Sequence, residues 1–207
     1  MATAILPSFT IDEALLPATL SAPSLSDEEF EALCADHPGL FFETTGEGDI
    51  IVMPPTYSLT GVRNSRIVRR LDEWAERDGR GLATDSSTGF VLPNGARRSP
   101  DAAWTLKSRV AQLDPASRRK FWRLCPDFAI ELRSDNDRPR LVREKMLEWM
   151  ANGAQLAWLI DPENKSVAVY RPDGSVETLA GLDSVGGEGP VEGFTLPLGF
   201  IWDPLSA

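Results

Sequence analysis

Apolar residues recur along this chain with two different periods. Over residues 59–77, Val62, Ile67, Val68, Leu71, Trp74 and Ala75 fall at helical spacing, and Arg63, Arg66, Arg69 and Arg70 flank the stripe, which predicts an amphipathic helix. Over residues 138–152, Leu141, Val142, Met146, Trp149 and Met150 form a second helical face, followed by Gly153 where a left-handed cap is wanted. Ser26, three residues before Glu29, makes a capping box for a short helix through Cys34 that stops near Pro38 and Gly39. A short basic helix is expected over residues 116–122.

Period-two or continuous β-type runs predict strands over residues 40–43, 49–53, 81–84, 89–92, 102–104, 127–133, 156–160, 166–170 and 176–179. Turn chemistry separates them: glycines at 46 and 48, Pro93-Asn94-Gly95, residues 161–164, and Asp173-Gly174. Residues 1–24, rich in Pro, Ala and Ser, are expected to form a loosely ordered arm, and residues 25–207 a single domain. The order of helices and strands implies an α/β fold, with a mixed sheet carrying helices on its faces.

Composition narrows the class. A chain of 207 residues, 42% hydrophobic with six Trp and nine Phe, can bury one substantial core. Its apolar runs, such as residues 154–160, fall far short of the roughly 20 residues that span a bilayer. Residues 1–16 lack the basic and apolar regions of a secretory signal, so a cytoplasmic protein with no membrane partner is expected. Cys34 and Cys125 have no metal-ligand neighbours in sequence and read as reduced, buried thiols. His37 is the only histidine, which argues against zinc-hydrolase and Ser/His/Asp chemistry.

Net charge of −10 at first disfavours a polyanionic partner, but the charges are unevenly placed. Residues 61–145 carry 19 of the 21 Lys and Arg with 12 of the 31 Asp and Glu, a local +7, while the flanks sum to −17. An acidic body with one basic, phosphate-facing surface is one consequence, and Arg63, Arg66, Arg70 and Arg119 are its candidate nucleic-acid contacts. Solvated helix faces paired with their own acidic neighbours are the other.

Two carboxylates stand out as candidate chemistry. Glu131 lies inside the apolar run Phe128-Ala-Ile-Glu-Leu132, where an ionised side chain is costly without a partner or a cation. That partner is either a nearby arginine or a metal ion shared with Asp101, which follows Pro100 at the start of a short strand. Lys145 falls one turn after Leu141 and one turn before Trp149, on the inward face. Its ammonium either snorkels to the surface or reaches Glu131. Arg133, two residues beyond Glu131 on the same strand face, competes for that place.

The segments Asp85-Ser-Ser-Thr-Gly-Phe90, Leu92-Pro-Asn-Gly95, Ser99-Pro-Asp-Ala-Ala-Trp104, Cys125-Pro-Asp-Phe-Ala-Ile-Glu-Leu-Arg-Ser134, Glu144-Lys-Met146 and Asn152-Gly-Ala-Gln-Leu-Ala-Trp-Leu-Ile-Asp-Pro162 occur in this order. With Val167-Ala-Val-Tyr-Arg-Pro172 and the terminal Glu192-Gly-Phe194 and Ile201-Trp202, they make the chain resemble the Uma-two family of the PD-(D/E)XK nuclease superfamily over residues 25–203. The resemblance implies a restriction-endonuclease-like core, a four-stranded mixed sheet flanked by helices, and a divalent metal, usually Mg²⁺, held by Asp101 and Glu131. Glu43 and Asp85 also match and are auxiliary candidates. The superfamily's usual lysine two residues after the glutamate is Arg133 here, and Lys145 falls on the family's Glu-Lys helix motif. Arginine supplies positive charge but cannot act as a base.

The resulting expectation is a Mg²⁺- or Mn²⁺-dependent endonuclease acting on DNA. Asp101, Glu131 and the Leu132 carbonyl would hold the metal, and Lys145 or Arg133 would stabilise the transition state. Two rivals stand beside it: a nucleic-acid-binding or regulatory protein on the same fold without cleavage, and a nuclease acting on RNA or small nucleotides. DNA is the expected partner, and the sequence is compatible with a homodimer.

Overall fold

A computed structural model describes residues 16–21, 24–134 and 137–205 of the chain. In chain order the elements are β1 (Ala18–Leu20), α1 (Asp27–Asp36), β2 (Phe41–Thr44), β3 (Ile50–Met53), α2 (Ser58–Asp78), β4 (Gly81–Asp85), β5 (Phe90–Val91), β6 (Arg97–Arg98), β7 (Ala102–Leu106), α3 (Lys107–Val110), β8 (Phe128–Leu132), α4 (Pro139–Ala151), β9 (Leu156–Asp161), β10 (Ser166–Tyr170), β11 (Val176–Ala180), β12 (Ser184–Gly186), β13 (Thr195–Pro197) and α5 (Gly199–Trp202). These elements group into two compact units, one within Met1–Thr56 and Asn94–Arg98, the other within Tyr57–Pro93 and Ser99–Ala207.

In the first unit β2 pairs antiparallel with β3, as expected around the 46–48 turn, and Gly48 takes a φ of 98° there. β1 pairs with the other edge of β3, and Thr44 of β2 pairs with Arg97 of β6. A strand within the expected arm was not legible, because three residues are too few to show a period. Residues 1–15 and 22–23 of that arm lie outside the described residues. The capping box on α1 forms: Glu29 N donates to Ser26 Oγ at 3.2 Å, and Ser26 N to Glu29 Oε2 at 2.8 Å. Phe30, Leu33, Phe42, Ile50 and Val52 are buried, and Arg97 binds Asp27 at 2.7 Å with its guanidinium over the Phe30 ring.

The second unit is built on a six-stranded mixed sheet in the order β11-β10-β9-β8-β7-β4. Every pairing in it is antiparallel except β8 with β9. All five residues of β8 are buried, as a central strand covered on both faces requires. Strand alternation sorts its side chains. Phe128, Ile130 and Leu132 join one core with Ile67, Leu71 and Trp74 of α2 and with Val185, Phe194, Leu196 and Ile201 from the C-terminal segment. Ala129 and Glu131 point the other way, and Trp149 of α4 reaches Glu131 on that side.

Close approach requires glycine at position 81, where a Cβ would lie 2.1 Å from the Trp104 ring. Trp104 belongs to the same core, where Trp158 stacks on Phe194 at 5.8 Å.

Several expectations are corrected. Residues 116–122 form only a 3-10 turn, Ser117–Arg119; Asp114 closes the bend that leads into it, its Oδ1 accepting from Ala116 N and Ser117 N. The neighbouring helix α3 was not anticipated. Leu141 is 45% exposed, so the packed face of α4 is carried by Met146 and Trp149. Cys125 is buried as expected and its thiol is pushed up to about 12 by desolvation, but Cys34 is only half-buried. Both cysteines are free. Among the described residues, no helix is long and apolar enough to cross a membrane.

Candidate active site

Asp101 stands one residue before β7, and the register of β7 on β8, Ala102 opposite Ile130, continues to set it beside Glu131. Both of its oxygens are engaged. Leu132 N donates to Oδ2 at 2.7 Å, and Asn64 Nδ2 of α2 donates to Oδ1 at 2.6 Å. Burial raises the pKa of this carboxyl above the usual carboxylate range. The Leu132 amide, the Lys145 charge and the Asn64 amide each work against that rise, and the Asp137 carboxylate adds to it.

Glu131 is 6% exposed and is met from α4 by two donors. Trp149 Nε1 donates to Oε1 at 2.8 Å, and Lys145 Nζ lies 3.0 Å from Oε1 and 3.2 Å from Oε2. The same ammonium donates to the Ser99 carbonyl at 3.0 Å. Lys145 and Trp149 are four residues apart and so share one helix face, which is why α4 delivers both donors to one carboxylate. The ammonium therefore spans the loop that carries Asp101 and the strand that carries Glu131.

Arg133 is not brought to Glu131. Its guanidinium bonds Asp161 Oδ2 at 2.8 Å and Glu163 Oε2 at 3.0 Å, at the turn between β9 and β10. The hydrogen bond to Asp161 raises its pKa further. The adjacent strand decides its place: β8 runs parallel to β9, and Leu132 opposite Ile160 puts Arg133 next to Asp161. Of Leu132 the site receives the amide N–H, through its bond to Asp101.

The auxiliary candidates have other engagements. Asp85 is a turn residue, its Oδ1 accepting from Ser87 N, Ser87 Oγ and Thr88 Oγ1. Glu43 belongs to the first unit, where it is buried and paired with Arg98 at 3.0 Å. Among the candidate nucleic-acid contacts, Arg63 Nε donates to Ile201 O at 2.8 Å and Arg66 to Pro204 O at 3.2 Å. Arg70 lies 3.6 Å from Glu73, and Arg119 is exposed on the 3-10 turn.

Asn64 was missed by the reading of the sequence. It is buried at 8% exposure on the α2 stripe, three residues before Ile67. A polar residue on an apolar stripe was the available signal, the same one that drew attention to Lys145.

The donors gathered here are hard carboxylate oxygens, with no imidazole or thiolate among them. Such a set suits Mg²⁺ or Mn²⁺, which are commonly bound through one or two carboxylates and keep several waters. Among the described residues no three His, Cys, Asp or Glu side chains are grouped to hold a metal ion, so the carboxylates offered here are those of Asp101 and Glu131. A carboxyl that burial makes reluctant to ionise is stabilised by a nearby cation, and Asp101 fits that role.

A family model described as "Putative restriction endonuclease", Uma2, matches residues 27–199. None of the curated proteins matches the chain. Among solved structures, the chain is similar to a putative nuclease belonging to DUF820 from Anabaena variabilis ATCC 29413. The identity is 21% and the TM-score 0.70, covering 86% of this chain and 97% of that one. At that identity the likeness speaks for the fold.

Proposed function

From a chain that belongs to the Uma2 family and has a restriction-endonuclease-like α/β fold, we propose a metal-dependent endonuclease that hydrolyses phosphodiester bonds of DNA. The observation that carries this reading is Lys145, whose ammonium is 3.0 Å from both Glu131 Oε1 and the Ser99 carbonyl, two residues from Asp101. Asp101 and Glu131, with the Leu132 carbonyl, would hold Mg²⁺ or Mn²⁺. A divalent ion held by these groups would supply Lewis-acid chemistry, a more acidic water and compensation of phosphate charge.

The chain's own groups do the remaining work. Leu132 N–H and Asn64 fix the Asp101 carboxylate, and Trp149 fixes that of Glu131. Lys145 places a positive charge where negative charge develops on the phosphate, in a partly dehydrated setting where such a charge counts for more than in water. Arg119 and Arg70 offer phosphate contacts, while Arg63 and Arg66 would contribute from guanidiniums held by C-terminal carbonyls.

A second reading is a nucleic-acid-binding protein that does not cut. It is favoured by the acceptors of Glu131 already being met by Lys145 and Trp149, an arrangement that also satisfies a buried carboxylate with no cation. Incubation with plasmid, single-stranded DNA and RNA in Mg²⁺, Mn²⁺ or EDTA separates the readings. Metal-dependent nicking of plasmid that is lost in Glu131→Ala supports the endonuclease. DNA retention without cutting in any metal supports the binding protein, and cutting confined to RNA removes DNA as the substrate.

A further inference from the structure

Asn64 leaves one atom unexplained. Its side-chain nitrogen is turned to Asp101 Oδ1 at 2.6 Å, so its oxygen is the atom that remains, and among the described residues Oδ1 is buried with no hydrogen-bond partner. Buried polar oxygens are nearly always satisfied. An orphan of this kind, fixed by a short bond to a candidate metal ligand, needs an account.

Packing does not supply one. Asn64 occupies the α2 stripe that continues through Ile67, Leu71 and Trp74, where an apolar side chain would leave no orphan. The asparagine is tied to Asp101 across 37 positions of sequence, and Asp101 is tied in turn to the Leu132 amide. Among the described residues no three His, Cys, Asp or Glu side chains are grouped there, so Asp101 and Glu131 fall short of the oxygen complement that a hard divalent cation collects. An amide oxygen is a ligand type such cations accept.

We infer that Asn64 is a working part of the cation site: its nitrogen orients Asp101, and its oxygen is a neutral ligand, direct or through a bound water, for the divalent ion. This rests on the metal reading of Asp101 and Glu131 given above. It assigns α2 a role in binding the ion as well as in packing on β4 and β7.

The test is calorimetric titration of the full chain with Mn²⁺, together with thermal melts in EDTA and in Mn²⁺, for wild type, Asn64→Leu and Asn64→Asp. Asn64→Leu removes both amide atoms and should weaken Mn²⁺ binding about 10- to 100-fold, the range seen when a supporting partner of a metal ligand is lost. Asn64→Asp puts a charged oxygen in the same place. Its melting temperature in EDTA should fall below that of wild type through repulsion with Asp101, and Mn²⁺ should raise it by more than it raises wild type. A purely structural Asn64 would shift melting in EDTA and leave the Mn²⁺ dissociation constant unchanged. Wild-type affinity for Mn²⁺ in a folded Asn64→Leu overturns the inference while leaving the two-carboxylate site intact. If Asn64→Leu does not fold, Asn64→Asp decides alone, and an Mn²⁺ response no larger than that of wild type overturns the inference. No Mn²⁺ binding by wild type overturns the metal reading and this inference with it.

Discussion

Lys145 Nζ lies 3.0 Å from Glu131 Oε1, which makes a mostly buried ion pair between the central strand β8 and the helix that covers it. The side chains are 18% and 8% exposed, so each charge depends on the other for compensation. The pair serves the folded state as well as any reaction, and substitutions must be read on both.

Lys145→Met should lower cleavage about 100-fold, the order seen when one electrostatic donor is lost. It should also lower stability by about 3 kcal/mol, because Glu131 is left buried and uncompensated. Denaturant melts of Lys145→Met, Glu131→Gln and the double variant check the second part: the double variant should recover much of the loss of Lys145→Met, as coupled sites do. Arg133→Met, which breaks the contacts to Asp161 and Glu163, should cut within about threefold of wild type, below the roughly 100-fold of a lost donor. Equal losses in the two variants would return Arg133 to the site.

Mn²⁺ titration should give heat in wild type and none in Asp101→Ala or Glu131→Ala. Metal bound by the folded state should also raise the thermal midpoint, rising with the logarithm of its free concentration once that exceeds Kd. Identical binding by all three proteins removes these carboxylates from the site.

The pH dependence of stability follows from Asp101. Its folded pKa is raised, chiefly by burial, so the neutral form favours folding. That contribution is complete below the carboxyl's unfolded value, about 3.9, and is lost as pH rises through the elevated folded value. Asp101→Asn removes the titration. In EDTA, the melting temperature of Asp101→Asn relative to wild type should therefore improve from pH 4 to pH 7. A constant offset across that range means that Asp101 does not titrate abnormally. Mn²⁺ should reverse the trend in wild type, since the metal binds the ionised form and affinity rises with pH.

Duplex DNA binding, measured with Ca²⁺ in place of Mg²⁺, should weaken steeply with salt. Each lost phosphate contact reduces the slope of log K against log salt by about 0.9. Arg119→Ala and Arg70→Ala are the cleaner tests. Arg63→Ala and Arg66→Ala also release hydrogen bonds to Ile201 O and Pro204 O, so they should cost melting temperature as well. Absence of binding at low salt would assign the basic segment to ordinary solvated faces.

Local chemistry by itself determined much of this protein. The Ser26 and Glu29 capping box, the stripe from Ile67 to Trp74 and the apolar run of β8 each depend on residues within a few positions of one another, and α1, α2 and β8 follow from them. The conflict of a glutamate in an apolar strand and a lysine on an inward helix face was equally visible in the sequence. Which groups resolve that conflict was decided by tertiary structure. Arg133 was nearest to Glu131 in sequence, but the parallel pairing of β8 with β9 gave it to Asp161. Lys145 and Trp149 came instead from the covering helix. Asn64 reached Asp101 only through the packing of α2 on β7. The C-terminal hairpin of β12 and β13, whose Val185 and Leu196 enter the core, was equally hidden. Strands of three residues show no period, and contacts across dozens of positions have no local signature, because the energy that fixes them is burial shared with elements elsewhere in the chain.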